Sequence, residues 1–132
     1  MLMPPFNLHH PTSVDEACEL AATFLANGES FDWVAGGTDL LPNYKWHINV
    51  KTHVISLAKI AGLDTISMHE IGAMARLGAI TSSTEVHPLI ASAASKVASS
   101  LIRNNATLGG NICLDTRCFW FNQSEDWRRS ID

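Results

Sequence analysis

The sequence predicts a single packed domain that mixes helices with short strands. Hydrophobic residues make up 46% of the 132-residue chain, enough apolar surface for a core within one domain's length. A capped amphipathic helix stands near the start, and its helical period gives way to short β-branched and aromatic runs. Two glycine pairs, Gly36-Gly37 and Gly109-Gly110, punctuate the chain, and no repeat, low-complexity tract or linker divides it.

Taken in order, Phe6 to His10 reads as a short extended segment ended by Pro11, because the residue before a proline is held out of helical geometry. Ser13 opens a helix, with Glu16 three residues on to complete a capping box. Val14, Ala17, Cys18, Ala21, Phe24 and Leu25 share its apolar face, and Asn27-Gly28 stops it. Cys18 is assigned to the core on that face, as a small hydrophobe. Phe31 to Ala35 reads as a strand running into the first glycine pair. Thr38 or Asp39 is placed to cap a short helix behind it, and Pro42 falls in that helix's first turn.

His53 to Leu57 reads as a second strand, and Leu63 to Ile71 as a loop with a short strand ending at Gly72. Ala75 to Ile80 fits a short helix. Pro88 then stands at the first position of a stronger one, with Leu89, Ile90, Ala93, Ala94, Val97 and Leu101 on its apolar stripe. That helix is expected to lead straight into the second glycine pair.

Composition excludes several classes of function. The formal net charge is −4 with no basic run, which argues against nucleic acid as a partner. No apolar run approaches the roughly 18 residues of a membrane span. The N-terminus lacks the charged and apolar regions of a signal peptide. Three cysteines without a C-x-x-C pair argue against a disulfide framework and for a reducing cytoplasm. The six histidines show no metal-ligand spacing, and His69-Glu70 fails as a zinc-protease motif because Ala73 stands where a second His is needed.

The glycine pairs carry the chemistry. A glycine pair between Thr107-Leu108 and Asn111 lets backbone approach a ligand without a Cβ in the way, and successive N–H groups in such a turn favour an anion. Ala35-Gly36-Gly37-Thr38-Asp39-Leu40 repeats the theme. It is not a Walker loop, since no Gly-Lys-Ser/Thr follows, and it lacks the third glycine of a dinucleotide fingerprint. Two such segments point to one phosphate-bearing ligand held from two sides.

The order of a capped helix, Ala-Gly-Gly-Thr-Asp-Leu-Leu-Pro, Ile71-Gly72-Ala73, Arg103-Asn104 and Ala106-Thr107-Leu108-Gly109-Gly110-Asn111 resembles the FAD-binding medium subunit of the molybdenum hydroxylases, the xanthine and carbon monoxide dehydrogenase family. The match runs from about Pro11 to the last residue. Cys113-Leu114-Asp115-Thr116-Arg117-Cys118, Phe121 to Glu125 and Trp127-Arg128 look like the β subunit of 4-hydroxybenzoyl-CoA reductase. The resemblance implies an α+β fold of the PCMH-like, CO dehydrogenase flavoprotein-like type, its N-terminal region a small mixed sheet covered by helices. Residues 1–57 would form a first subdomain and 58–132 the start of a second.

By that resemblance, Ala35, Gly36, Gly37, Thr38, Asp39 and Leu40, with Thr107, Leu108, Gly109, Gly110 and Asn111, would hold the FAD pyrophosphate. Electrons would pass between the flavin and a [2Fe–2S] subunit, while a molybdenum-cofactor subunit handles the substrate, so no residue of this chain is assigned a catalytic role. Cys118 falls on the first ligand of the extra [4Fe–4S] cluster of the reductase branch. Such a cluster needs four ligands, and the other three would lie in a longer chain; the family's flavin subunit continues well past this point. Trp120, Phe121 and Trp127 form an aromatic patch expected to pack on that continuation, and exposed apolar surface there makes homo-association plausible. The rival reading is a non-catalytic remnant or interaction domain that keeps the fold and binds no FAD.

Overall fold

The computed structural model describes residues 2–116 and 125–131. Ser13 sets the first helix: its hydroxyl oxygen accepts the Glu16 N–H at 3.1 Å, and α1 runs Val14–Ala26 to a stop at Asn27. The Glu16 carboxylate reaches back to Thr12, accepting its N–H at 2.7 Å and its hydroxyl at 3.1 Å. Those bonds, the backbone one foremost, hold its carboxyl below the ordinary glutamate range.

Ala17, Ala21 and Phe24 are the buried residues of α1. Cys18 is exposed, against its assignment to the core, and Val14 and Leu25 are 51% and 69% exposed. The helix covers a sheet too small to bury its whole apolar face, so only the central stripe is enclosed.

That sheet comprises β1 (Asn7–His9), β2 (Phe31–Val34) and β3 (His53–Ser56) in the order β1-β3-β2. Both pairings are parallel, with Leu8 opposite Val54 and Trp33 opposite Ile55. In place of the mixed sheet that the resemblance implied, the strands described all run one way. Antiparallel pairing is confined to two isolated bridges, Ile66 to Ile71 and Arg76 to Thr107. The connections explain this: α1 separates β1 from β2, and α2 (Leu40–Lys45) separates β2 from β3, and a helical crossover returns the chain to run in the same direction.

Two clusters of buried residues result. Ala17, Ala21, Phe24, Ile55 and Ile60 form the one under α1. A row of polar side chains borders it, with His9 Nε2 3.0 Å from His53 Nδ1 and His53 Nε2 3.5 Å from Glu29 Oε1. The His53 ring stacks on Phe24 at 4.2 Å. The other cluster gathers Ala75, Leu77, Ile80, Val86, Ala94 and Ala106 from α3 (Leu77–Ser82), α4 (Pro88–Ser95), the segments just before each of them, and the residues after α5 (Ser100–Arg103). Among the described residues no helix is long and apolar enough to cross a membrane.

The long helix expected from Pro88 to Leu101 is interrupted. Ala98 takes a left-handed φ of +44°, Ser99 caps α5 by accepting the Ile102 N–H at 3.3 Å, and Arg103 Nη1 donates to the Val97 and Ala98 carbonyls at 2.9 and 3.1 Å. The expected stripe is only partly buried: Ala94 is the buried residue of α4 and Val97 packs against the core cluster, while Leu89 and Leu101 are 73% and 75% exposed. His87 caps α4 with its ring nitrogen, which accepts the Leu89 N–H at 3.2 Å.

Tyr44 ties α2 to the sheet. Its side chain has no exposed surface; the hydroxyl donates to Asp32 at 2.8 Å and accepts the Lys51 N–H at 3.2 Å. Burial, then the Asp32 carboxylate, pushes its phenol from 10.0 up to about 12. A raised acid pKa favours the neutral phenol in the fold, so this contribution is intact below pH 10.0 and is lost as pH rises towards about 12. Tyr44→Phe is expected to lower stability at neutral pH by about 1–3 kcal/mol. In urea unfolding followed across pH 8 to 12, the gap between wild type and variant should close over that alkaline window; a constant gap would contradict the assignment.

Candidate functional site

The first glycine segment leaves β2 and bends before α2. Gly37 has φ +69°, a left-handed conformation that an L side chain adopts only with strain. Among the described residues, none accepts a hydrogen bond from the backbone N–H of Gly36, Gly37 or Thr38. Three consecutive uncommitted donors around a positive φ are what an anion-binding nest requires. Asp39 occupies the cap position of α2 but makes no side-chain capping bond; its carboxylate accepts from Asn43 Nδ2 at 2.9 Å instead.

The second segment is built differently. Thr107 is buried and caps α6 (Leu108–Ile112), its hydroxyl oxygen accepting the Gly110 N–H at 3.1 Å. Gly109-Gly110 therefore lies in the first turn of a short helix rather than in an open turn. The segment is docked on residues 73–77 by backbone bonds: Gly109 N–H to Ala73 (2.8 Å), Leu108 N–H to Ala75 (2.9 Å) and Leu77 N–H to Ala106 (2.9 Å). Asn111 N–H returns to Thr107 at 3.0 Å. All four N–H groups from Leu108 to Asn111 are thus donated within the chain.

The two segments meet. A Cβ on Gly36 would stand 2.0 Å from the Asn105 carbonyl oxygen, and one on Gly110 would stand 3.5 Å from the Ala35 Cβ. Gly36 is glycine so that one backbone can lie against the other, a packing reason distinct from the approach of a ligand expected from sequence. Gly109 is fixed in the same way, its missing Cβ 2.8 Å from that of Ala73.

A cleft of about 340 Å³ opens at this junction. Ala35, Gly36 and Thr107 line it among the residues anticipated from sequence, beside Asn105. Gly37 faces a second, more apolar cleft of about 360 Å³ on the sheet, which begins at the same Ala35-Gly36 turn and includes Leu8 and Val54. Thr38, Asp39, Leu40, Leu108, Gly109, Gly110 and Asn111 line neither cleft. Sequence reasoning missed Lys59, Asp64 and Arg76, which the first cleft brings together with the loop from Leu57 to Ala61. The signal available was their position after a strand and beside Ile71-Gly72-Ala73, but single charges in loops do not stand out from solvated ones. Arg76 Nη1 donates to the Asn104 carbonyl at 3.1 Å, so it is held at the seam.

Cys118, Trp120 and Phe121 lie outside the described residues; Trp127 is half-buried in α7 (Glu125–Arg129). Cys113 is exposed, and among the described residues no group of three or more His, Cys, Asp or Glu side chains is placed to hold a metal.

Comparison with known proteins gives one consistent answer. Residues 4–118 match the family model described as the FAD binding domain in molybdopterin dehydrogenase. The chain is 36% identical over 119 residues to the carbon monoxide dehydrogenase medium chain of Hydrogenophaga pseudoflava, covering 85% of this chain and 40% of that one. It is 35% identical over 102 residues to the xanthine dehydrogenase FAD-binding subunit of Escherichia coli O157:H7, covering 70% and 35%. Among solved structures, carbon monoxide dehydrogenase from H. pseudoflava lacking the Mo-pyranopterin moiety superposes with a TM-score of 0.77 at 34% identity, over 85% of this chain and 40% of that chain. The chain thus spans about two-fifths or less of the length of these relatives.

The seam itself is testable. Gly36→Ala forces its Cβ into the Asn105 carbonyl and should cost about 1–3 kcal/mol or more. Gly28→Ala, at φ +70° with nothing within 4 Å of the added Cβ, should cost only the backbone strain, about 1–2 kcal/mol. Urea unfolding of the two variants compares them directly; a Gly36→Ala no less stable than Gly28→Ala would mean the segments are not in contact.

Proposed function

The chain belongs to the family of the FAD binding domain in molybdopterin dehydrogenase, and from that premise we propose that its two glycine segments hold the diphosphate of FAD as part of an electron-transfer flavoprotein subunit. One observation carries the reading: the uncommitted N–H of Gly36 belongs to a cleft that Thr107 of the second segment also lines, and the uncommitted N–H groups of Gly37 and Thr38 follow it directly in the chain. The residues present fit a diphosphate, since a nest needs backbone donors and no basic side chain. When bound, FAD supplies a carrier for electrons in pairs or singly.

This chain's own part is binding and orientation. Ala35 to Leu40 present main-chain donors. Thr107, Leu108, Gly109, Gly110 and Asn111 are assigned the other side of the diphosphate; the N–H groups from Leu108 to Asn111 serve the segment's own architecture and Thr107 alone of them lines the cleft, so the segment's contribution is shape. No residue is assigned to substrate chemistry. We assign residues 1–57 and 58–132 to two subdomains; two separate buried clusters support a division, although the first of them reaches Ile60.

Within the family, we place the chain nearest the β subunit of 4-hydroxybenzoyl-CoA reductase, on the strength of Leu114-Asp115-Thr116-Arg117-Cys118, with Cys118 as one ligand of a [4Fe–4S] cluster completed in a longer chain. Its partners would be a molybdenum-cofactor subunit and a [2Fe–2S] subunit, in the cytoplasm. Relatives support an assembly of this kind, being named medium chain and medium subunit.

The purified chain should carry flavin absorbance or acquire it on incubation with FAD. Gly37→Val, strained at φ +69° and pressed on Leu41, and Gly110→Val, pressed on Thr107 and Ala35, should lose the flavin while circular dichroism keeps its helical signal. Normal flavin occupancy in Gly110→Val would refute the assignment of the second segment. A wild-type chain that stays colourless would favour the rival of a domain without cofactor.

A further inference from the structure

Sequence reading assigned the diphosphate to backbone donors alone, but the cleft contains charge that this scheme does not use. Lys59 and Arg76 line it from two different parts of the chain, with Asp64 as the opposing carboxylate. Two cations against one anion make the cleft locally positive in a chain whose formal net charge is −4. Without such a reversal, the field of the whole chain would disfavour a ligand bearing two negative charges.

The two cations are also held by structure. Arg76 itself forms the isolated antiparallel bridge to Thr107 and donates one guanidinium N–H to the Asn104 carbonyl at 3.1 Å. A guanidinium carries five donors in a rigid fork, so four remain for a ligand. Lys59 is itself exposed but precedes the buried Ile60, which fixes its backbone at the rim of the cleft. The uncommitted N–H of Gly36 belongs to a residue lining the same cleft.

We infer that Lys59 and Arg76 form a cationic wall that neutralises the diphosphate, so that the cleft selects ligands by that group and not by the flavin ring alone. This rests on the reading that the cleft holds FAD. Lys59 grips the charge without geometric demand. Arg76 both contacts the phosphate oxygens and, through Asn104, holds the second segment in place.

Calorimetric titration of the full chain tests this with four probes: FAD, ADP, adenosine and riboflavin. Lys59→Gln and Arg76→Gln should each weaken FAD and ADP by about tenfold, the scale of one lost hydrogen bond to a charged group. Each should flatten the salt dependence of both affinities and leave adenosine and riboflavin unchanged. Arg76→Lys, which keeps the charge, should keep the salt dependence of wild type. If both Gln variants bind FAD and ADP as wild type does while Gly110→Val binds neither, the cationic wall is wrong and the glycine reading stands. If Arg76→Lys loses as much affinity as Arg76→Gln with a lowered melting temperature, Arg76 acts only through Asn104 and its half of the inference falls. If the folded wild-type chain binds neither FAD nor ADP, both readings fail together.

Discussion

The structure depends on one close approach of backbone to backbone, where Gly36 lies against the carbonyl of Asn105. Gly36 follows the strand that borders the cluster of Phe24 and Ile55 beneath α1. Asn105 precedes Ala106, which belongs to the cluster of Leu77 and Ile80. A side chain at position 36 would hold the two bodies apart, and the cleft between them would lose its shape. Steric exclusion at one Cβ position therefore decides whether the two segments can meet and the cleft can form.

The two sides of the cleft solve the hydrogen-bonding problem in opposite ways. On the second segment every N–H from Leu108 to Asn111 has an acceptor in the chain, so that segment has no free main-chain donor to offer. On the first, Gly36 to Thr38 keep their donors for something else. Half-buried donors without partners are costly, and their retention on one segment only is the sign on which its proposed ligand-facing role rests. The similarity to carbon monoxide and xanthine dehydrogenase subunits agrees with that sign but is independent of it.

Much of this was legible in the sequence, because local rules govern it. Ser13 and Asn27-Gly28 bound α1 as capping chemistry demands, and the strands at Phe31 and His53 fall where aromatic and β-branched runs put them. The glycine segments were found, and so was their convergence. What escaped depends on tertiary context. Whether Cys18 is buried depends on the width of the sheet beneath it, which α1 does not encode. The interruption at Ala98 needs Arg103 to reach back across a turn, and nothing in the apolar stripe announces it. The histidines gave no spacing signal because His9, His53 and Glu29 come from three separate segments. Lys59 and Arg76 escaped for the same reason.

The asymmetry of the cleft has a consequence for how such a site drifts over generations. Where recognition is carried by main-chain N–H groups, the side chains of that stretch are nearly free to change, provided that position 36 stays bare and position 37 tolerates its left-handed turn. Where a wall is held by its own internal bonds, as at Thr107, a change in the hydroxyl loosens the wall itself. One segment should accumulate neutral replacements while the other resists them, although the two lie against each other.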